Sequence, residues 1–263
     1  MPSNFIQHQH VTIWYLDPAR ITATKSIETL KTWLSNIETE RMKRFHHAKH
    51  QHAFLISHAL KRAALAHVLG LEPNELEFGI GSQGRPFIMG KAQHNLQFNL
   101  SHTDGLVALA VSLDAYVGLD VESLTRKIPE TAFAARFFTP PEHDDILVHE
   151  QTPNSHRLLE YWTLKEAYIK AEGLGISIGL DTFYFDLSQT HPHIKYTSEA
   201  RPPSHPWQFI QIKPTPHHLM ALAWAPIAKQ DEPALQHDKS RSQEPANSLN
   251  CDIKEADSLL NIH

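Results

Sequence analysis

The sequence predicts an α+β fold made of two similar halves and a polar tail. The chain has 263 residues, which gives room for two halves of roughly 110 residues each. Each half runs through a strand, then helices, then a closing set of strands. Beyond Pro226 the chain becomes polar and loses any strong hydrophobic period. We therefore predict a first half over residues 1–113, a second half over 114–226 and a largely disordered tail over 227–263, with at most one short terminal helix where an apolar period returns at 258–262.

The first half combines two main helices with several strands. Apolar residues that recur every three or four positions over 26–37 predict an amphipathic helix with Ser26 as its N-cap. Residues 53–69 predict a longer helix that Gly70 ends. Alternating or β-rich runs predict strands at 10–17, 76–80, 96–100 and 106–113, and Asp104-Gly105 predicts the turn between the last two.

One helix organises the second half. Residues 160–172 are mostly good helix formers, and Gly173 is a natural stop. A spacing of four places Trp162, Glu166 and Lys170 on one face of this helix. The simplest interpretation is a surface ion pair between the last two residues. Strands are predicted around the helix at 116–121, 183–187, 193–197, 207–212 and 219–224.

A second acidic pair, Asp120 and Glu122, favours a functional site at Glu166 and Lys170 over a surface ion pair between them. Residues two apart on a strand face the same way, so both carboxylates point to one side while Val121 packs on the other. With Glu166 they would form a three-carboxylate site for Mg²⁺ or Mn²⁺. An exposed acidic pair without function is the alternative.

Groups that can bind phosphate accompany these carboxylates. Ser101 and His102 end a predicted strand, and Arg85 lies in a Gly-Arg-Pro turn. Such side chains can donate neutral or charge-assisted hydrogen bonds to phosphate oxygens. Together with the lysine on the helix, they point to phosphoryl chemistry.

Three other motifs are rejected on context. Gly79, Gly81 and Gly84 match a dinucleotide-binding fingerprint, but Arg85-Pro86 follows where a helix should begin. The Gly-x-Ser-x-Gly run over 175–179 leaves a helix, whereas a nucleophile elbow enters one. The histidines over 46–52 lack carboxylates or cysteines at ligand spacing, so a polar helix face is the better interpretation.

Composition limits the class of protein. A single cysteine, Cys251, excludes an internal disulfide and a cysteine-based zinc cluster, and favours a reducing compartment. The net charge of −5 argues against a nucleic-acid-binding protein. We find no apparent leader and no apolar run that could span a bilayer, so we expect a cytoplasmic protein without a membrane partner.

Five sequence blocks resemble a known family over roughly residues 10 to 225. The blocks are Gly84-Arg-Pro86, Phe98-Asn-Leu-Ser-His102, Val117-Gly-Leu-Asp-Val-Glu122, Arg136-Phe-Phe138 with Glu142, and Trp162-Thr-Leu-Lys-Glu-Ala-Tyr-Ile-Lys170. In order and spacing they are similar to the 4′-phosphopantetheinyl transferases of the large, surfactin-synthetase-activating type. The resemblance implies halves in a pseudo-twofold arrangement, with coenzyme A and Mg²⁺ in the cleft between them. It also implies transfer of the phosphopantetheine arm to a carrier-protein serine, leaving adenosine 3′,5′-bisphosphate.

The resemblance also implies roles for the residues named above. Asp120, Glu122 and Glu166 would hold the metal, and Glu166 would act as general base. Lys170 would neutralise charge on the phosphates, with Lys165 adding to that field. Trp162 would line the pantetheine side of the cleft. Arg85, Ser101 and His102 would bind the nucleotide phosphates.

The chain departs from the family on its first long helix. Many members carry arginines that bind the 3′-phosphate where this chain has His50, Gln51, Ala53 and His58. Histidine is a weaker anion ligand near neutral pH, so Arg41 or Arg44 would have to compensate. The hypothesis that follows is weaker or more pH-sensitive binding of coenzyme A.

The implied partner is an apo acyl or peptidyl carrier protein, and we expect a monomer because two halves complete one cleft. Two other functions stay open on the sequence. The same carboxylates could serve a metal-dependent phosphodiesterase, which would break down coenzyme A without an acceptor. A non-catalytic carrier-protein binder is the second alternative, although the retained acidic residues and Lys170 argue against it.

Overall fold

The computed structural model describes residues 8–81, 84–90, 96–126, 137–150, 156–198, 200, 202–227 and 248–260. These residues form a mixed α/β fold, as predicted. The helices are α1 Thr24–Trp33, α2 Asn36–Lys43, α3 Ala48–Leu69, α4 Pro140–Glu150 and α5 Arg157–Glu172. The strands are β1 His8–Leu16, β2 Phe78–Ile80, β3 Pro86–Ile88, β4 Gln97–Thr103, β5 Leu106–Ser112, β6 Ala115–Ser123, β7 Phe183–Asp186, β8 His193–Tyr196, β9 Gln208–Thr215, β10 His218–Pro226 and β11 Ser248–Glu255.

The first sheet has the strand order β11-β1-β5-β4 and packs against α3. β1 and β5 are antiparallel, with Trp14 opposite Leu109, and β4 pairs with β5 across the predicted turn at Asp104-Gly105. Alternate residues of these strands face α3, where Leu60 and its apolar neighbours form the first core. The predicted long helix is therefore present, although it begins at Ala48.

The second sheet has the strand order β6-β10-β9 and packs against α5. β6 and β10 are antiparallel, with Asp120 opposite Ala221. Gly173 ends α5 in the left-handed conformation at φ 69°, as the sequence predicted. Apart from β11, the two sheets share one pattern: the first strand (β1 or β6) pairs with the last (β5 or β10), and the last pairs with the one before it (β4 or β9).

The two sheets face each other across a third apolar layer. Val117, Leu119 and Val121 of β6 pack there with residues of β1 and β5 such as Ile13 and Ala108. Helix α3 lies outside the first sheet and α5 outside the second, which gives the layer order helix, sheet, sheet, helix. None of the described helices is long and apolar enough to cross a membrane.

The prediction of a largely disordered tail is wrong for residues 248–260. β11 pairs in parallel with β1, and the turn after it buries Ala256 and Leu260 in the core beside α3. β11 lies at the edge of the sheet, and most of its described side chains are exposed or half-buried. A strand in this position can be polar, so its sequence lacks the hydrophobic pattern that would predict a strand. Residues 228–247 and 261–263 of the predicted tail lie outside the described residues.

The predicted amphipathic helix over 26–37 is two helices. Ser26 is buried inside α1, which starts at Thr24, so it is not the N-cap. Ser35 instead begins α2 through a capping box with Glu38. Ile37, predicted as an apolar contact, is 74% exposed because the break reorients the chain.

Candidate active site

Asp120 and Glu122 lie on the face of β6 that contacts α5. The helix backbone comes so close at Gly118 that a Cβ there would fall 2.1 Å from Ala167 O. Glycine therefore allows the helix to approach the strand closely at Gly118, two residues before Asp120. Val121 packs in the layer between the sheets, as the alternation of a strand requires.

Asp120 is held by groups from both halves of the chain. Lys170 Nζ lies 2.6 Å from Asp120 Oδ1, and the Ser101 hydroxyl donates to the same oxygen over 3.0 Å. Burial raises the pKa of Asp120, against the opposing charge of Lys170. Asp120 Oδ2 is buried and has no hydrogen-bond partner among the described residues. A buried carboxylate oxygen without a partner is unfavourable and suits coordination of a cation.

Glu122 has three partners among the described residues. Trp162 Nε1 donates to Glu122 Oε1 over 3.2 Å, and Arg126 Nη1 forms an ion pair with the same oxygen. The Thr103 hydroxyl lies 3.5 Å from Glu122 Oε2. Trp162 therefore orients a carboxylate. It does not line the cleft that lies between α5 and the first half, which is described below.

Glu166 faces the cleft one helical turn before Lys170. Burial raises the pKa of its carboxyl, followed by the charges of Asp120 and Glu122, while Lys170 opposes the shift. The predicted three carboxylates are thus close enough to interact. Electrostatic repulsion from Asp120 and Glu122 favours the protonated form of Glu166.

The donor set fits a hard divalent cation in its chemistry. All three predicted ligands are carboxylates, and one oxygen of Asp120 is unpartnered. Among the described residues, however, no group of three acidic, histidine or cysteine side chains is already arranged around one point. The pairing of Asp120 with Lys170 and of Glu122 with Arg126 accounts for this, since each carboxylate is directed toward its own cation.

A row of polar side chains on β4 joins the two sheets. Asn99, Ser101 and Thr103 accept hydrogen bonds from the backbone amides of Leu119, Val121 and Ser123, respectively. The constant offset of 20 residues means that β4 and β6 run in the same direction along this seam. Sequence reasoning missed Asn99 and Thr103, although polar residues at alternate positions of a strand were a usable signal.

Ser101 uses its whole hydrogen-bonding capacity inside this seam. Its single O–H donates to Asp120, and its oxygen accepts from Val121 N and from Lys170 Nζ, the latter at 3.1 Å. To donate to a phosphate, as predicted, Ser101 would have to release Asp120. Its role in this geometry is to orient Asp120 and Lys170.

A cleft of about 1120 Å³ lies between α5 and the first half. Glu166 and Lys170 line one wall, and Arg41 of α2 lines the other. Arg44 is exposed and is not among the lining residues, so of the two predicted compensating arginines only Arg41 reaches the cleft. A pocket of this size at the acidic cluster is a suitable ligand site.

The wall contributed by the first half contains a buried ion cluster around Glu38. Lys61 Nζ and His58 Nδ1 lie 2.8 Å and 2.7 Å from Glu38 Oε1, and Arg62 contacts Glu38 Oε2 at 2.7 Å. The sequence signal was the presence of His58, Lys61 and Arg62 within a largely apolar stretch of the helix predicted over 53–69, and the sequence analysis did not connect them with Glu38.

Protonation within this cluster follows from burial and charge. Burial alone would raise the pKa of Glu38, but the His58 and Lys61 hydrogen bonds and the Lys61 charge hold it well below its usual range. Burial lowers the pKa of His58, against the opposing hydrogen bond to Glu38. The lowered pKa argues against His58 as a cationic phosphate ligand near neutral pH.

Arg85 bridges the two halves. Its guanidinium donates to Ala171 O near the end of α5 and to Val117 O on β6, both at 3.1 Å. It also lines the cleft, so it can reach a ligand while it holds α5. His102 is exposed and does not line the cleft, and partial desolvation followed by the Lys170 charge lowers its pKa.

Lys165 does not lie in the cleft, which corrects the prediction that it adds to the field on the phosphates. Its side chain is fully buried, pairs with Glu142 Oε2 at 2.8 Å and donates to the carbonyls of Leu180 and Phe183. Adjacent helical residues point about 100° apart, so a Glu166 that faces the cleft sends Lys165 into the core. The motif residue Arg136 lies outside the described residues.

The sequence matches two family models and several curated proteins. Residues 116–238 match the model described as 4′-phosphopantetheinyl transferase superfamily, and residues 22–114 match 4′-phosphopantetheinyl transferase, N-terminal. The chain is 31% identical over 200 residues to the 4′-phosphopantetheinyl transferase HetI of Nostoc sp., covering 76% of this chain and 81% of that protein. Over 175 residues it is 29% identical to the 4′-phosphopantetheinyl transferase Sfp of Bacillus subtilis, covering 66% and 75%. Over 167 residues it is 32% identical to psf-1 of Bacillus pumilus, covering 64% and 70%. These matches cover both halves of the chain, which belongs to the 4′-phosphopantetheinyl transferase family.

Proposed function

We propose that the protein transfers the 4′-phosphopantetheine arm of coenzyme A to a serine hydroxyl of an apo acyl or peptidyl carrier protein. The observation that carries the proposal is the meeting of Glu166 and Lys170 with Asp120 at the edge of the large cleft. The serine oxygen forms a bond to the β-phosphorus, and the bond from that phosphorus to the bridging oxygen breaks. Adenosine 3′,5′-bisphosphate leaves, and the serine proton passes to a base.

Glu166 is the proposed base. Burial and the charge of Asp120 raise the pKa of its carboxyl in the metal-free protein. It lines the cleft, so a serine that enters the cleft can reach it. The roles of this chain are therefore to bring the two substrates together and to accept one proton.

Asp120, Glu122 and Glu166 would hold Mg²⁺, or Mn²⁺ in its place. When bound, the ion would offset the charge of the pyrophosphate and stabilise the charge that develops on the leaving group. Lys170 would contribute a second positive charge, since its ammonium lies beside the same carboxylates. Ser101 and Trp162 would keep Asp120 and Glu122 oriented through the hydrogen bonds described above.

Coenzyme A would bind along the cleft between the two halves. Arg41, Lys61 and Arg85 line it and can supply donors to phosphate oxygens. The phosphate contacts of Ser101 and His102 and the pantetheine contact of Trp162 stay predictions. The repeated strand order of the two sheets supports a pseudo-twofold arrangement and, with it, a monomer with one cleft. The single thiol supports a reducing, cytoplasmic location.

The test is the intact mass of a purified apo acyl carrier protein after incubation with this protein, coenzyme A and Mg²⁺. A gain of one phosphopantetheine arm that is lost with chelator and in Glu166→Gln would support the proposal. Glu160→Gln is the matched control, because it lies on the same helix but pairs with Arg157. Breakdown of coenzyme A without an acceptor would favour a phosphodiesterase, and absence of any reaction with acyl and peptidyl carriers would contradict the proposal.

A further inference from the structure

Arg126 competes for an oxygen that the proposed metal site needs. Its guanidinium pairs with Glu122 Oε1, the same atom that accepts from Trp162 Nε1. The Arg126 side chain is 47% exposed, whereas that of Glu122 is 9% exposed. The arginine therefore reaches a buried carboxylate from the protein surface. Within the described part of the chain, the partner of the other oxygen, Oε2, is the Thr103 hydroxyl at 3.5 Å.

The chain keeps Arg126 near this oxygen by a turn at the end of β6. Arg126 N donates to Ser123 O over 3.0 Å, and the Ser123 and Thr125 hydroxyls lie 2.8 Å apart. The backbone therefore reverses direction right after the acidic strand. This turn returns the arginine toward Glu122, four residues earlier in the chain.

We propose that Arg126 is an internal counter-cation that occupies Glu122 Oε1 and lowers the affinity of the site for divalent cations. The inference rests on the proposed function, because it assigns Glu122 to that metal site. A metal ion at Oε1 would repel the Arg126 guanidinium paired with the same oxygen, so the two cations compete for Glu122. Arg126 is then a determinant of metal affinity and not a catalytic residue.

The energetics favour such an exchange. A buried carboxylate without a partner is costly, and Arg126 removes that cost as long as it pairs with Glu122. An ion pair to a half-exposed arginine is weak and screened by salt, so a divalent ion can displace it. Lys170 differs, because it also binds Ser101 and is anchored on α5.

Trp162 supplies a signal for the exchange. Its indole N–H shares Glu122 Oε1 with Arg126, so a change of cation at that oxygen alters the surroundings of the ring. The chain has five tryptophans, and Trp162→Phe identifies the contribution of this one by subtraction.

The experiment measures Mn²⁺ binding to chelator-treated protein by electron paramagnetic resonance, with tryptophan fluorescence followed in parallel. Arg126→Ala should bind Mn²⁺ about fivefold more tightly, the size expected for loss of a half-exposed ion pair. Without metal the variant should unfold at a lower temperature than the unaltered protein, and Mn²⁺ should raise that temperature by more. Arg126→Lys keeps the charge and should lie between the two.

Arg20→Ala is the matched control. Arg20 is 49% exposed and also pairs with carboxylates, those of Glu255 and Asp257, but they belong to the C-terminal segment. Its Mn²⁺ affinity should equal that of the unaltered protein. Equal affinity in Arg126→Ala, with normal binding in the unaltered protein, would overturn the inference and leave the proposed metal site intact. Absence of Mn²⁺ binding in every variant would overturn both.

Discussion

The Ser101 hydroxyl donates to Asp120 Oδ1 over 3.0 Å, so a strand of the first half fixes a carboxylate of the second. The same hydroxyl accepts from Val121 N and Lys170 Nζ. One side chain therefore sets the positions of a carboxylate, an ammonium group and the backbone amide of β6. Any relative shift of the two sheets would disturb the candidate active site at this point.

Ser101→Ala should lower both stability and activity. It leaves the buried Val121 N–H and Asp120 oxygen short of a partner, at a cost of about 1–3 kcal/mol in the free energy of unfolding. Carrier-protein modification should fall through kcat, since Asp120 and Lys170 lose their orientation. Chemical denaturation and steady-state kinetics measure the two effects.

Ser57→Ala is the control for this prediction. Ser57 is as buried as Ser101, but it donates only to Ala53 O within α3. It should change stability little, because alanine is a better helix former. An unchanged kcat in Ser101→Ala would contradict the orienting role.

Gly118→Ala should displace α5 from β6. The added Cβ would meet Ala167 O at 2.1 Å and Ala171 N at 2.5 Å, both backbone atoms that cannot rotate away. We expect a loss of about 1–3 kcal/mol or more from overpacking and a large fall in activity. Gly81→Ala is the control, since its Cβ would lie at an ordinary 3.4 Å from Arg85 O. Equal melting temperatures for the two variants would show that α5 does not require the close approach.

Lys165→Met should destabilise the fold instead of weakening coenzyme A binding specifically. It would leave Glu142 buried without its cation, which costs about 3–5 kcal/mol. Adding Glu142→Gln removes the unpaired charge and should recover part of that loss, as measured by denaturation. If Lys165→Met remained as stable as the unaltered protein but bound coenzyme A less tightly, the buried position described here would be wrong.

The free energy of unfolding should fall as the pH is lowered below about 6.5, the ordinary pKa of histidine. Because the His58 pKa is lowered in the fold, the unfolded chain takes up a proton that the folded chain does not, so acidification favours unfolding. Glu38 acts in the same direction, since its pKa is held below the ordinary 4.5 and its contribution is lost as the pH falls further. The stability that Glu38 contributes is therefore lost at a lower pH than that of His58, below about 4.5.

Comparison of His58→Gln with His46→Gln isolates the contribution of His58. His46 is an exposed histidine outside the Glu38 cluster, so His46→Gln is the control variant. His58→Gln should flatten the pH dependence of unfolding between about pH 5 and 7. The lowered pKa also predicts that His58 adds little pH dependence to coenzyme A binding between pH 6 and 8, contrary to the hypothesis drawn from sequence.

The sequence predicted those features that depend on local periodicity. The four-residue spacing on α5 correctly placed Trp162 and Lys170 on the face that meets β6. The alternation along β6 correctly placed Asp120 and Glu122 opposite them. Both predictions follow from the regular geometry of a helix and a strand. The direction of Lys165 was missed because it depends on which face of α5 meets the core. The partner of Glu38 lies more than 20 residues away on another helix, which no local pattern specifies.

The C-terminal strand β11 and the turn after it lie in the segment predicted to be disordered, and their polar residues did not indicate a strand. Leu260 is 1% exposed in the core beside α3, so Leu260→Ala should cost about 2–5 kcal/mol in the free energy of unfolding. Leu113→Ala, at a 52% exposed position, should cost far less. Removal of residues 248–263 should do more, because it also exposes the edge of β1 to pairing with other chains. Denaturation and light scattering test both effects; a truncated chain that stays monomeric and as stable as the full chain would show that β11 does not contribute to the first sheet.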